Sequence, residues 1–195
     1  MTRLTRDRRR SRGQAMVEYA VAIPVFLLIL LGMLEFGFAF SHHLTMEYAT
    51  REGARAGAAL ANGSTQYPCA VVDDQVIAAV QRVITASGSQ VDINEITQIR
   101  IYRGNALNGK EPSGTPVNVW TLGKGPVVDG AALKFKLQSF GWDPCSRKNA
   151  ANPDSIGVSM TYGYKYVTPL GGLLGATGNP TLPMSDRTVM SLNPD

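Results

Sequence analysis

The residue with the most pointed chemistry in this chain is an acid in an apolar setting. Glu18 lies near the start of the run Met16–Phe40, directly after an arginine-rich tail. A carboxylate inside a bilayer costs roughly 2.5–3.5 kcal/mol on insertion scales, so it calls for a partner. The spacing offers one. A cut after Gly13 would free an α-amino group on Gln14, four residues before Glu18, and positions four apart share a helix face. Glu35 is a second acid in the same run, and its partner is not legible from the sequence.

Other chemistry is scarce. Gly104–Lys110 matches most of a phosphate-binding loop, but Glu111 stands where a magnesium-binding Ser or Thr belongs. Pro112, Gly114 and Pro116 then forbid the helix that would hold the phosphate, so the segment reads as a surface turn. The only two histidines, His42 and His43, are adjacent and point to different helix faces, which suits no metal. No histidine is left to build a Ser-His-Asp or Cys-His arrangement in the later part of the chain. Asp73, Asp74 and Asp143 lack calcium-loop spacing. The expectation is a non-enzyme with no cofactor, no metal and no catalytic residue.

Charge is unevenly spread. Residues 1–13 hold six arginines against Asp7, a net +5, and the remainder carries 13 basic and 14 acidic side chains. A basic tail before an apolar segment predicts a cytoplasmic N-terminus and a single membrane pass. No basic face recurs later, so nucleic acid is not an expected partner. The 25 residues Met16–Phe40 would rise about 37 Å as a helix, enough to cross a bilayer. A secretory signal peptide cut near Gly37-Phe38-Ala39 is the alternative, and it leaves Glu18 unexplained.

The helix should continue well past the apolar run. Ser41–Ala61 contains no proline, and Asn62-Gly63-Ser64 is a stop signal. Pro24 should kink or loosen the helix within the membrane. Ala49, Gly53, Gly57 and Ala61 form a small-residue ridge every fourth position, either for a neighbouring helix or as a seat for the chain's own domain. Val72, Val76, Ala79, Val80 and Val83 make the core stripe of a second helix, with Gly88 as its stop.

Period-two segments follow: Ile99/Ile101, Val117/Val119 alternating with Asn118/Trp120, Leu133/Phe135/Leu137, the long run Ile156–Tyr166, and Thr181–Leu192 with Pro183 at a sheet edge. Residues 104–116, 141–155 and 168–180 read as loops. The predicted class is α+β, a long helix and a second helix on a small antiparallel sheet. The expected organisation is a leader at 1–13, a long helix at 14–62 with its membrane segment at about 16–40, and an exported domain at 63–195. Cys69 and Cys145, both beyond the membrane segment, suit one disulfide, the alternative being two buried thiols.

A basic leader ending in Gly13, with Glu18-Tyr19 following and then an apolar helix, resembles type IV prepilins. Within that class, GQAMVEYAVAIPVFLLILLGMLEFG followed by EYATREGARAGA is similar to TadE-like proteins, minor pilins or pseudopilins of the tight-adherence (Flp-type) pilus machinery. The resemblance covers about residues 12–60; Thr168-Pro169 and Thr188-Val189-Met190 are compatible with it. It implies cleavage between Gly13 and Gln14 by a prepilin peptidase, and pairing of Glu18 with the freed amine. It also implies partners: other minor pilins, the major pilin and an inner-membrane assembly platform, besides the lipid bilayer. The expected location is the cytoplasmic membrane, with the C-terminal domain outside and incorporation into a surface pilus left open. A membrane-anchored extracytoplasmic binding module that never joins a pilus is the alternative.

Overall fold

The computed structural model describes residues 7–105, 108–150, 152–173 and 181–193. Helix α1 spans Asp7–Leu60 and runs on through Pro24. It begins before the expected Gln14, because Arg8–Arg12 are good helix formers with no breaker among them. It ends at the predicted signal. Ala61 takes a left-handed φ of 49° and Gly63 a φ of 117°, and the Gly63 N–H closes onto Leu60 O at 2.7 Å.

Two compact units emerge. The first is Met1–Ala39 with Lys165–Pro180, the second Phe40–Tyr164 with Thr181–Asp195. The outer part of α1 is therefore an integral piece of the second unit, and an excursion between two strands belongs with the apolar part of α1. In the first unit most apolar side chains of α1 from Met16 to Leu34 are exposed. A short helix, α3 (Leu170–Leu173), lies within the excursion.

The second unit is helix on sheet. A single 3-10 turn, Cys69–Val71, leads into α2 (Val72–Ile84). Its buried stripe is Val72, Val76, Ala79 and Val80, joined by Ile77 and Ile84, while Val83 is only half-buried. Helix α2 ends four residues before Gly88.

Among the described residues seven strands follow: β1 (Ile96–Arg103), β2 (Val117–Leu122), β3 (Val127–Val128), β4 (Ala131–Ala132), β5 (Phe135–Ser139), β6 (Ser155–Lys165) and β7 (Thr181–Ser191). Five form one sheet in the order β5-β2-β1-β6-β7. Strand β1 is antiparallel to both β2 and β6, and β2 is antiparallel to β5. Strand β7 is an edge, so Pro183 loses no ladder bond on its open side. Strands β3 and β4 make a separate hairpin whose two turn residues, Asp129 and Gly130, have φ of 48° and 80°. Asp-Gly is the pair that such a turn favours.

The core lies between the helices and one sheet face. Ile99 and Ile101 of β1 and Ile156, Val158 and Met160 of β6 are fully buried there. Register decides a point that alternation left open: Ile99 faces Trp120 and Ile101 faces Asn118. Asn118 and Trp120 thus turn inward, and Val117 and Val119 lie on the less covered face.

The ridge on α1 seats this unit. A Cβ added at Gly53 would lie 2.5 Å from Val80 Cγ2, and one at Gly57 would meet Ile156 Cδ1 and sit 3.0 Å from Val76 Cγ2. Ala49 and Ala61 are buried beside them. The two glycines let the backbone of α1 approach α2 and β6. Far along the chain, the Asn193 N–H reaches Ala58 O at 3.0 Å.

Candidate functional site

Two acids punctuate the apolar part of α1, and their surroundings differ. Glu18 is exposed and one turn from Gln14, whose side-chain amide donates to its Oε1 at 3.3 Å. The two residues do share a face, as their spacing requires. Val17, Val21, Val25, Phe26 and Ile29 line the surface beside Glu18. Gly13 has open space where a Cβ would stand. Among the described residues, then, nothing packs against Gly13, in contrast to Gly53 and Gly57. Of the basic leader, residues 1–6 lie outside the described residues.

Glu35 is buried, at 4% exposure, although its helical neighbours Leu34 and Phe36 are open. The excursion between β6 and β7 covers it. Glu35 Oε1 accepts the Val167 N–H at 3.0 Å and Oε2 accepts the Thr168 N–H at 2.8 Å. Two backbone donors on one carboxylate are charge-assisted bonds, roughly twice as strong as neutral ones. Thr168 Oγ1 in turn accepts the Leu170 N–H at 3.4 Å, which closes the turn into α3. No sequence signal linked residues 132 and 133 positions apart.

The second unit is held by a tie the sequence did not reveal. Cys69 and Cys145 form the predicted disulfide, 76 residues apart. Beside it, Asp73 and Arg147 form a buried ion pair, Nη2 to Oδ1 at 2.6 Å. The Arg147 guanidinium also lies 4.3 Å from the Trp142 ring centroid, a cation–π distance. Asn118 completes the cluster. Its amide donates to Asp73 Oδ2 at 2.6 Å and to Trp142 O at 2.7 Å, and its oxygen accepts the N–H groups of Gly141 and Trp142. All four hydrogen-bonding positions of the side chain are used, so its burial carries no unmet polar group.

His42 is a core residue of the second unit. Its ring stands edge-on to Tyr164 at 5.0 Å and to Tyr162 at 5.8 Å, and Nδ1 is 3.4 Å from the Tyr162 hydroxyl. Burial, with Glu95 adding to it, pushes the Tyr162 phenol up to about 12.

A polar hollow of about 380 Å³ opens on the other sheet face, lined by Tyr102, Glu111, Ser159, Thr161, Asp186 and Arg187. Glu111 is engaged by Arg100. Burial raises the Tyr102 phenol, with Arg187 pulling it down and Glu111 pushing it up, so the ring stays a neutral donor at ordinary pH. That lining offers hydroxyls and charged groups but no activated nucleophile. In the loop below it, Gly104 packs on Val189 and the Gly109 N–H closes onto Asn105 O at 2.8 Å, a tight turn; residues 106 and 107 lie outside the described residues. Among the described residues, no group of three or more His, Cys, Asp or Glu is placed to hold a metal.

Among the described residues, one helix, Gly13–Leu60, is long and apolar enough to cross a membrane. Residues 13–55 match the family model described as TadE-like protein. The match covers the exposed acid Glu18, the covered acid Glu35 and the glycine at 53. No curated protein and no solved structure matches the chain.

Proposed function

We propose that this chain is a membrane-inserted minor pilin or pseudopilin that takes part in assembling a tight-adherence, Flp-type IV pilus. The observation that carries the reading is the pairing of positions 14 and 18 on one exposed, apolar helix face. An acid there has no anchoring purpose. It gains one when an amine appears at position 14, on its own chain or a neighbour's. Gly13 supports the same reading. A helical glycine costs about 1 kcal/mol against alanine, and among the described residues no packing offsets it. Recognition by a prepilin peptidase gives that residue a reason.

In this scheme the arginine leader stays in the cytoplasm, α1 crosses the inner membrane, and the helix-and-sheet unit lies outside. Partners are other minor pilins, the major pilin and the membrane assembly platform. The exposed face bearing Val17, Val21 and Phe26 is where a neighbouring helix would lie, with Glu18 reaching the new amine. Hydrolysis of the Gly13–Gln14 peptide bond is done by the peptidase; this chain supplies only the substrate.

N-terminal sequencing of protein recovered from its native membrane tests the proposal. A start at Gln14 is expected, with Gly13→Val retaining the leader and running larger on a gel. A wild-type chain that keeps its arginines while pili assemble normally would reduce the protein to an anchored module.

A further inference from the structure

We propose that the excursion from Lys165 to Leu170 is a second membrane-embedded element, seated in the extracytoplasmic leaflet against α1 and pinned there by Glu35. The inference rests on α1 being inserted, as proposed above. Glu35 lies 17 residues after Glu18, an axial rise of about 25 Å, which is shorter than the ~30 Å hydrocarbon core. With Glu18 just inside the cytoplasmic boundary, Glu35 is still within hydrocarbon at the far side. Its neighbours on the helix, Leu34 and Phe36, are exposed apolar side chains suited to lipid. A bare carboxylate there would be costly, and the excursion covers it.

The N–H groups of the excursion meet the demand that hydrocarbon makes of backbone donors. The Val167 and Thr168 N–H groups go to Glu35 and the Leu170 N–H goes to Thr168 Oγ1. Pro169 has no N–H. From Val167 to Leu170 every backbone donor is therefore satisfied without water, and the packing of this backbone on Glu35 of α1 gives it the protein cover that non-helical chain needs at membrane depth. A solvated loop needs no such closure. The side chains agree. Val167 is 61% exposed and Pro169 is exposed, so both present apolar surface outward. Lys165 and Tyr166, which precede them, are residue types that favour the membrane–water interface.

The test uses the full chain in vesicles of phosphatidylethanolamine and phosphatidylglycerol. A nitroxide is attached in detergent to Val167→Cys, to Phe26→Cys in the middle of the apolar helix, or to Val127→Cys on the β3–β4 hairpin; the native disulfide leaves each new thiol as the label site. Collision with oxygen and with a water-soluble nickel reagent then reports depth. Phe26 and Val167 labels should favour oxygen and be protected from nickel, and the Val127 label should behave as aqueous. Adding Glu35→Ala should release the Val167 label to the nickel reagent and leave the Phe26 label unchanged. A Val167 label as nickel-accessible as Val127, with Phe26 protected, overturns the embedded excursion while insertion stands. A Phe26 label open to nickel overturns insertion, and the excursion with it. A Val167 label that stays protected in the Glu35→Ala background overturns the pinning role of Glu35.

Discussion

Arg147 and Asp73 form a buried ion pair at 2.6 Å, and the disulfide between Cys69 and Cys145 joins the same two chain segments. One tie is covalent and one ionic. They connect the entry of α2 to the turn that follows β5. The Arg147 side chain is fully covered, so its charge depends on Asp73 and on the face of Trp142.

Removing one partner of that pair should cost more than removing both. Arg147→Ala leaves the Asp73 carboxylate buried without its cation, an expected loss of about 3–5 kcal/mol. Asp73→Asn combined with Arg147→Met removes both charges and keeps most of the volume, and its loss should be smaller. Denaturant unfolding of the detergent-solubilised chain, disulfide intact, measures both. Equal losses would mean that the ionic tie carries no coupling.

The two ridge glycines should respond differently to a methyl group. Gly53→Ala drives a Cβ to within 2.5 Å of Val80 Cγ2, a β-branched side chain with one favoured helical rotamer. Overpacking of this kind costs typically about 1–3 kcal/mol, more than the ~1 kcal/mol alanine gains in helix propensity. Gly57→Ala meets the flexible Cδ1 end of Ile156 and stands 3.0 Å from Val76 Cγ2, so a small shift of a side-chain tip relieves most of the contact. Thermal unfolding should show Gly53→Ala destabilised and Gly57→Ala close to wild type. The reverse order would place the tight contact elsewhere.

Alkali should weaken the second unit through Tyr162. Its phenol is pushed from the ordinary 10.0 up to about 12, chiefly by burial. Above pH 10 the unfolded chain loses this proton while the folded chain keeps it, so stability falls with pH. The contribution is whole below pH 10 and is lost as pH rises through about 12. One such group sets an upper limit of about 1.4 kcal/mol per pH unit on the slope between those limits. Tyr162→Phe should flatten the fall in unfolding free energy between pH 10 and 12. The Tyr102 phenol, raised as well, leaves a residual slope of the same sign. An unchanged slope in the variant would assign the alkaline loss to other groups.

Glu18→Leu should insert at least as well as wild type, because it removes a costly charge from the bilayer. It should nevertheless fail to co-purify with pilus components. Membrane fractionation and pull-down from native membranes read the two effects separately. Normal pilus number together with normal co-purification would remove the pairing of Glu18 with an N-terminal amine.

Much of this protein is written locally. The apolar run of α1, the stop at Asn62-Gly63, the α2 stripe and the period-two strands each follow from neighbours within one or two turns, and each appears as an element. The cysteine pairing was legible because only two were present. The facing of Gln14 and Glu18 needed only 3.6 residues per turn. The Asp-Gly turn at 129–130 is equally local. What the chain's order could not disclose are relations between distant residues. The partner of Glu35 lies 132 residues away, and the partner of Asp73 lies 74 away. Alternation alone cannot say which face of β2 is inward; the cross-strand register and the four bonds of Asn118 do that. The ridge likewise suits any close backbone, and only folding chose α2 and β6 to fill it. Local periodicity specifies elements. Burial of a charge or an amide is specified by whichever donors the tertiary fold brings to it.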